Sequence, residues 1–160
     1  MMSSLVAYFS ATGTTAHVAN ELARAIGADL FEIVPEQPYT AADLDWRDKT
    51  SRSSLEMNDE ACRPAIVGHV DTMADYDTVF VGFPIWWYVE PRIIDTFLEA
   101  YDFAGTTVVP FATSGGSGLG KAPQRMATLA PGATVTEGRL LNGNPNADEL
   151  RTWAQGATSC

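Results

Sequence analysis

The chain has few cysteines, few cations and no long apolar run, and each scarcity excludes a class of protein. Its two cysteines, Cys62 and Cys160, lie far apart, and neither forms a C-x-x-C pair or takes metal-ligand spacing with a histidine. We therefore expect two unlinked, reduced thiols rather than a disulfide or a metal site. The longest nearly unbroken apolar stretch, residues 78–89, is too short to cross a bilayer.

Positive charge is scarce relative to negative charge. Ten Lys and Arg residues stand against twenty Asp and Glu residues, so the formal net charge is −10. Such a surface argues against nucleic acid or an anionic membrane as partner, because phosphate binding needs Lys and Arg. It suits a partner with a basic docking surface, although solubility alone would also account for the acidity. The first four residues lack the basic segment of a signal peptide, so we expect a cytoplasmic protein.

What the sequence does contain is an alternation of short apolar runs and amphipathic stretches. Val18, Leu22 and Ile26 repeat at four-residue spacing, which predicts a helix that Gly27 ends. Pro91 is expected to take the first position of a later helix. Strands are predicted over residues 5–9, 30–34, 78–82, 107–112 and 134–140, and further helices over residues 121–129 and 147–155.

Five strands alternating with helices predict an α/β fold with an open, doubly wound parallel sheet covered on both faces. The length fits a single domain over residues 1–160. In such sheets ligands bind beyond the carboxyl ends of the strands. The loops after the first, third and fourth strands are therefore the places to look for chemistry.

A polar stretch over residues 35–76 interrupts the alternation after Pro35, which is expected to end the second strand. A short helix could begin within residues 50–54. The stretch could form a lid or substrate wall over a ligand, or it could be a surface excursion packed by Trp46. Its side chains suited to ligand contact are Tyr39, Trp46, Arg47, Arg52 and Arg63.

The loop after the first strand, residues 10–15, predicts an anion site. It offers four hydroxyls, from Ser10, Thr12, Thr14 and Thr15, around Gly13, together with the free N–H groups of a helix start. The loop has no Lys or Arg, so a phosphate would be held by neutral donors. A helix cap formed by Thr12 or Thr14 is the alternative.

The other two loops favour a flat ligand beside that phosphate. Residues 84–91 carry three consecutive aromatics, which could line a planar ring or form a structural wedge or subunit interface. Residues 113–118 are small and could approach a ligand closely, or could form a plain surface turn. Gly115, Gly120 and Lys121 match part of a P-loop, but Ala122 stands where magnesium needs Ser or Thr, so we reject nucleotide hydrolysis.

These three loops, in this order, resemble the flavodoxin family, in particular its branch with S-x-T-G-x-T, P-I-W-W and T-S-G-G-S-G signatures. The resemblance covers nearly the whole chain. It implies a flavodoxin-like fold with strand order 2-1-3-4-5 and FMN as the cofactor. The implied phosphate contacts are Ser10, Thr12, Gly13, Thr14 and Thr15. The implied contacts of the isoalloxazine ring are Pro84, Ile85, Trp86, Trp87, Thr113, Ser114, Gly115, Gly116 and Gly118.

The resemblance implies a one-electron carrier between redox partners, and the acidic surface with a cation-free phosphate loop predicts a low second reduction potential. Two alternatives stay open: an FMN-dependent NAD(P)H reductase of quinones or similar small acceptors, and a flavin-free interaction module. A phosphorylated receiver domain is discarded because the required acidic residues are missing after the first and third strands. His17 and His69 have no visible acid–base partner, so no catalytic residue is assigned.

Overall fold

The computed structural model describes residues 4–11, 13–45, 47–86, 89–113, 119–141 and 145–158. Its strands are β1 (Ser4–Tyr8), β2 (Asp29–Glu32), β3 (Val34–Pro35), β4 (Ile66–Val67), β5 (Thr78–Pro84), β6 (Thr107–Thr113), β7 (Thr134–Val135) and β8 (Arg139–Leu140). Its α-helices are α1 (Thr14–Ile26), α2 (Arg52–Asn58), α3 (Arg92–Glu99), α4 (Ala122–Leu129) and α5 (Ala147–Thr158). No helix in these ranges is both long and apolar enough to span a membrane.

The main sheet is parallel and has the order β2-β1-β5-β6-β7, with β8 also pairing β6. This confirms the doubly wound α/β fold and the expected strand order. β1 lies beside β5 with Tyr8 opposite Gly82, and β5 lies beside β6 with Pro84 opposite Thr113. The carboxyl ends of these three central strands therefore lie side by side at one edge of the sheet.

Alternate residues of each strand enter two separate cores, as the two-residue period of a strand requires. Val6 and Tyr8 of β1 pack with Leu22 of α1 and Leu150 of α5 on one face. Leu5 and Ala7 of β1 face the other core, which also contains buried side chains of α3 and α4. Helices thus cover both faces, and in sheets of this kind ligands bind beyond the carboxyl ends of the strands.

The last predicted strand, residues 134–140, is divided, and this part of the prediction is wrong. Thr134–Val135 pairs Thr107–Val108, and Arg139–Leu140 pairs Phe111–Ala112. The interruption lies opposite Pro110, which has no N–H to donate to a ladder. Gly138 lies against the Pro110 carbonyl with φ +72°, where a Cβ would overlap that oxygen.

Two prolines also behave differently from the prediction. Pro35 does not end the extended chain but lies in β3, which pairs antiparallel with β4. This pairing brings the two ends of residues 36–65 together, so that segment forms a closed excursion. Pro91 is the N-cap of α3 rather than its first helical residue, with an extended ψ of 152°.

The short helix expected near residues 50–54 is present as α2, and Ser51 caps it by accepting a hydrogen bond from the Ser54 N–H.

Gly82 allows the central strands to pack, which leads to a stability prediction. A Cβ at this position would overlap Cζ of Phe111, whose ring is fully buried. Gly82→Ala should therefore lower the free energy of unfolding by about 1–3 kcal/mol, measured by chemical denaturation.

Gly156→Ala is the matched control, because a Cβ there meets no atom of the described residues within 4 Å. Gly156 lies within α5, where Ala has a higher helix propensity than Gly. The unfolding free energy of the Gly156→Ala variant should therefore equal that of wild type or exceed it by up to about 1 kcal/mol. Equal effects of the two substitutions would contradict the packing of β5 against Phe111.

Candidate functional site

The turn after β1 ends in a helix start whose N-cap residue is a glycine, which has no side chain to cap the helix. Gly13 is the N-cap of α1 with φ +94°, and it makes no side-chain capping bond. The capping alternative therefore fails for Thr14, which is the first helical residue and is exposed. Ser10 Oγ instead accepts a hydrogen bond of 3.0 Å from the Gly13 N–H, which holds the turn closed.

The electrostatics of this helix start favour an anion. The first turn of α1 has no acidic residue that could neutralise the positive end of the helix dipole. An uncapped helix start leaves its first N–H groups pointing out of the helix without intrahelical partners. Because residues 10–15 contain neither Lys nor Arg, an anion in this turn would be bound by neutral donors and the dipole alone.

A buried hydrogen bond joins the first turn to the end of β6. The hydroxyls of Thr15 and Thr113 lie 2.7 Å apart, although 98 residues separate them in the sequence. Their exposed fractions are only 2% and 5%. The carbonyl of Thr113 also accepts a hydrogen bond of 3.0 Å from the Ile85 N–H, so all three predicted loops are tied together at Thr113.

In the aromatic loop, the described residues Trp86 and Val89 face each other. Trp86 and Val89 pair through two backbone hydrogen bonds of 3.0 and 3.1 Å. The Trp86 indole is half-buried and packs edge-on against Phe9 at 5.7 Å and Tyr39 at 5.4 Å between ring centroids. Trp86 is therefore largely occupied by protein contacts at the base of the turn, and we call residues 86–89 the aromatic turn.

Several of the predicted site residues lie outside the described residues. The structure brings together Ser10, Gly13, Thr14, Thr15, Pro84, Ile85, Trp86 and Thr113 at the carboxyl ends of β1, β5 and β6. The remaining predicted contacts lie outside the described residues: Thr12, Trp87, Ser114, Gly115, Gly116 and Gly118.

The excursion over residues 36–65 reaches the site through Tyr39. Its ring packs at 5.5 Å against Phe9 as well as against Trp86. The Arg52 guanidinium lies 3.8 Å from the centre of the ring, and the hydroxyl donates a 2.5 Å hydrogen bond to Glu56. Burial, followed by this contact with Glu56, raises the pKa of Tyr39 above its ordinary value. Tyr39 stays a neutral hydroxyl and a wall of the aromatic cluster.

An ion cluster that the sequence analysis missed lies directly behind the aromatic turn. The Glu90 and Asp95 carboxylates are both fully buried. Glu90 Oε1 accepts a 2.7 Å hydrogen bond from Arg125 Nε. Asp95 Oδ2 lies 3.4 Å from Arg125, 3.6 Å from Arg92 and 3.8 Å from Arg63. Glu90 and Asp95 flank an ordinary helix start in the sequence, and only the fold shows that the distant Arg63 and Arg125 join the neighbouring Arg92 beside them.

Burial dominates the electrostatics of this carboxylate pair. It raises the pKa of Glu90 to about 7, helped by the neighbouring Asp95 charge and opposed by Arg125. Burial also raises the pKa of Asp95, although a hydrogen bond with Glu90 and the surrounding guanidinium groups oppose the rise. The pair therefore retains a proton at a pH where exposed carboxyls have lost theirs.

A parallel sheet of this order, with helices on both faces, defines the doubly wound α/β class, in which ligands bind at the carboxyl ends of the strands. A family model described as flavodoxin matches residues 3–157. The chain therefore belongs to the flavodoxin family. No curated protein matches the chain.

Solved structures agree with this assignment. A candidate flavoprotein from Bacteroides eggerthii is 50% identical with a TM-score of 0.94, and the match covers 100% of both chains. A second, from Bacteroides uniformis, is 51% identical with a TM-score of 0.90, covering 96% of this chain and 98% of the other. A flavoprotein from Lactobacillus acidophilus, solved in complex with FMN, is 23% identical with a TM-score of 0.70, covering 96% and 99%, and shows the same fold.

The hydroxyl pair at Thr15 and Thr113 leads to a stability prediction. Thr15→Val or Thr113→Val keeps the side-chain volume but leaves the other hydroxyl buried without its partner. Each single variant should lower the unfolding free energy by about 1–3 kcal/mol. The loss of unfolding free energy in the double variant should be smaller than the sum of the losses in the two single variants, because no unpaired hydroxyl remains.

Chemical denaturation of the ligand-free protein measures all four members of this cycle. Thr106→Val provides a control, since Thr106 is buried but is not part of the pair. Strict additivity of the Thr15 and Thr113 substitutions would contradict the hydrogen bond as the link between the two loops.

Proposed function

We propose that the chain binds FMN non-covalently at the carboxyl ends of β1, β5 and β6 and carries single electrons between redox partners. Family membership supports this proposal, as does the FMN complex of the Lactobacillus acidophilus flavoprotein. The observation that carries it in this chain is the start of α1 at Gly13, joined through Thr113 to Ile85, which directly precedes the aromatic turn. A phosphate site and a ring site would thereby be adjacent.

The phosphate of FMN would be held in the turn after β1. Its ligands would be the hydroxyls and N–H groups of Ser10, Thr12, Gly13, Thr14 and Thr15. Each hydrogen bond to a charged phosphate contributes about 1.5–3 kcal/mol, so several neutral donors suffice without a cation. Because Gly13 has positive φ and no Cβ, the backbone can turn its N–H groups toward the anion.

The isoalloxazine ring would lie between the other two loops. Pro84, Ile85, Trp86 and Trp87 would line one side of it, and the loop over residues 113–118 would close the other edge. Since the Trp86 ring is packed against Phe9 and Tyr39, Trp87 is the better candidate for stacking on the ring. Bound FMN supplies reversible one- and two-electron redox chemistry, and the protein contributes orientation and electrostatics.

The scarcity of positive charge favours the electron-carrier role over a reductase role. Residues 10–15, 84–91 and 113–118 contain no Lys or Arg, and the whole chain has a net charge of −10. An acidic surface steers the protein toward a partner with a basic docking surface. We assign no residue to proton transfer on a substrate, and we place the protein in the cytoplasm.

The first prediction concerns cofactor retention. Purified protein incubated with excess FMN and then desalted should keep flavin absorption bands, with its tryptophan fluorescence quenched by the bound ring. Gly13→Ala should retain less FMN, because Ala is strained by about 1–2 kcal/mol at φ +94° and shifts the N–H groups of the turn.

Gly105→Ala is the matched control, since Gly105 also has positive φ, at +80°, but lies before β6, at the amino end of that strand. Gly105→Ala should lower the unfolding free energy about as much as Gly13→Ala does, but it should leave FMN retention unchanged. A wild-type protein that stays colourless after incubation would contradict FMN binding and favour a flavin-free interaction module.

The second prediction concerns the reduction potential. Adding the second electron places negative charge where no Lys or Arg of the three loops can offset it, so the second potential should lie below that of free FMN. Thr14→Lys, in the first turn of α1, should raise that potential. Thr152→Lys, exposed on α5, makes the same charge change away from the turn and should leave it unchanged.

Potentiometric titration of the three FMN-loaded proteins measures this difference. A wild-type second potential above that of free FMN would contradict the low-potential carrier. Steady-state assays separate the carrier from the reductase: a carrier oxidises NAD(P)H slowly and exchanges electrons rapidly with a partner protein. Rapid NAD(P)H-dependent reduction of a quinone would instead establish the reductase.

A further inference from the structure

The excursion over residues 36–65 is attached to α3 through the buried guanidinium of Arg92, the first residue of that helix. Its Nε donates to the carbonyls of Glu56 and Asp59, at 3.2 Å each, and its Nη2 donates to the Met57 carbonyl at 2.8 Å. These carbonyls belong to the last turn of α2 and to its C-cap. The last carbonyls of a helix have no partner within the helix, so Arg92 caps α2 from a different helix.

The short helix α2 depends on this cap. It has seven residues, and an isolated helix of that length is not stable in water. Its last turn has no basic residue of its own that could donate to the carbonyls. Arg92 is itself held firmly, because Ile93 and Ile94 beside it are fully buried in the core. Arg92 therefore fixes where the side chains of α2 lie.

Glu56 connects this cap to the aromatic cluster. Its main-chain carbonyl accepts the hydrogen bond from Arg92, and its side chain is buried. Oε1 accepts a 2.5 Å hydrogen bond from the Tyr39 hydroxyl, and Oε2 accepts one of 2.8 Å from Arg52 Nε. Both carboxylate oxygens are thus paired, as a buried carboxylate requires. Glu56 is held through its main chain and holds Tyr39 through its side chain.

Tyr39 carries this chain of contacts to the candidate site. Its ring packs edge-on against Phe9, at 5.5 Å between ring centroids, and against Trp86, at 5.4 Å. Phe9 follows β1 and Trp86 follows β5, and these strands are neighbours in the sheet. The Arg52 guanidinium, 3.8 Å from the centre of the Tyr39 ring, restrains the ring further. Tyr39 therefore touches side chains at the carboxyl ends of two adjacent strands.

Together these contacts form a closed circuit. The chain leads from Trp86 to Arg92 through the aromatic turn and the N-cap of α3. Side-chain contacts then lead back to Trp86 through Glu56 and Tyr39. A side chain that is already held in place has less freedom to lose when a ligand binds, so the circuit prepares Trp86 for a ligand.

We propose that Glu56 and Arg92 are positioning residues of the candidate FMN site. They act through Tyr39, which holds the Trp86 indole in place before FMN binds. This inference rests on the proposed FMN function, in which Trp86 is one of the residues that line the isoalloxazine ring. It makes the excursion over residues 36–65 a fixed wall of the site rather than a lid.

The first test observes Trp86 in the ligand-free protein by fluorine NMR. The protein is labelled with fluorotryptophan, and Trp86→Phe identifies the resonance of Trp86. Tyr39→Phe removes only the hydroxyl that Glu56 accepts. In this variant the Trp86 resonance should broaden, and its isotope shift between light and heavy water should increase, because the indole becomes more mobile and more exposed.

Tyr76→Phe is the matched control for this substitution. Tyr76 also donates its hydroxyl to a carboxylate, that of Asp29, at 2.7 Å. Asp29 is the first residue of β2 and Tyr76 precedes β5, so this pair lies at the amino ends of the strands. Tyr76→Phe should change neither the Trp86 resonance nor the dissociation constant of FMN.

The second test compares two substitutions of Glu56. Glu56→Gln keeps an oxygen that can accept from the Tyr39 hydroxyl, whereas Glu56→Leu has a side chain of similar size without an acceptor. Glu56→Leu should raise the dissociation constant of FMN by about two- to tenfold, and Glu56→Gln should stay close to wild type. When each is combined with Tyr39→Phe, the difference between the two should disappear, because no hydroxyl is left for Glu56 to hold.

Arg92→Lys tests the cap on α2. Lysine keeps the positive charge but lacks the planar guanidinium that reaches three carbonyls. Amide hydrogen exchange in α2 should become faster, and the Trp86 resonance should broaden. Arg151→Lys is the control, since Arg151 of α5 donates to the Ala25 carbonyl in the last turn of α1 and pairs with an aspartate of its own helix, as Arg92 does. This control should change neither quantity.

The possible results separate this proposal from the proposed function. An unchanged Trp86 resonance in Tyr39→Phe overturns the positioning role, and so does a difference between the two Glu56 variants that persists without the Tyr39 hydroxyl. Unchanged exchange in α2 of Arg92→Lys overturns the cap. If wild type does not bind FMN, the proposed function fails, whereas the fluorine spectra still decide whether the circuit holds Trp86. Should Glu56→Leu not fold, an FMN dissociation constant of Tyr39→Phe equal to that of wild type overturns the proposal.

Discussion

Parallel pairing of β1, β5 and β6 is the constraint on which the candidate site depends. Parallel strands in adjacent positions carry their following loops at the same edge, so three segments distant in sequence become neighbours. The register places Tyr8 opposite Gly82 and Pro84 opposite Thr113. A slip of one residue would turn each strand's core side chains to the opposite face and would part Thr15 from Thr113.

The two faces of the sheet serve the site differently. On the face of α1 and α5, the turn proposed to bind the phosphate leads into α1, whose position is set by the buried core around Leu22. On the face of α3 and α4, the ion cluster lies between the helices and behind the aromatic turn. The turn before α1 thus lies beside apolar packing, whereas buried charge lies next to the aromatic turn.

Much of this arrangement could be predicted from the sequence. Local sequence patterns predict the positions of the strands and of the three loops. The resemblance of those loops to the flavodoxin family predicts the order of the central strands. Local patterns are informative here because β1, β5 and β6 are continuous apolar runs, and each is followed directly by a distinctive loop.

The features that the sequence did not predict depend on contacts between residues distant in sequence. The division of the last strand required knowing that residues 136–138 lie opposite Pro110. The closure of residues 36–65 rests on two short strands, β3 and β4, whose two-residue pairing has no periodic signal. The ion cluster combines Arg63 and Arg125 with Asp95 across 32 and 30 positions of the chain, and each of these residues alone is typical of a solvated helix surface.

The central claim is that one FMN molecule occupies the edge formed by β1, β5 and β6. A crystal structure of the protein grown with FMN tests it most directly. The phosphate should lie at the N–H groups of the turn before α1, and the ring should lie between the aromatic turn and the loop after Thr113. An FMN bound elsewhere, or density for the phosphate away from the start of α1, would contradict it.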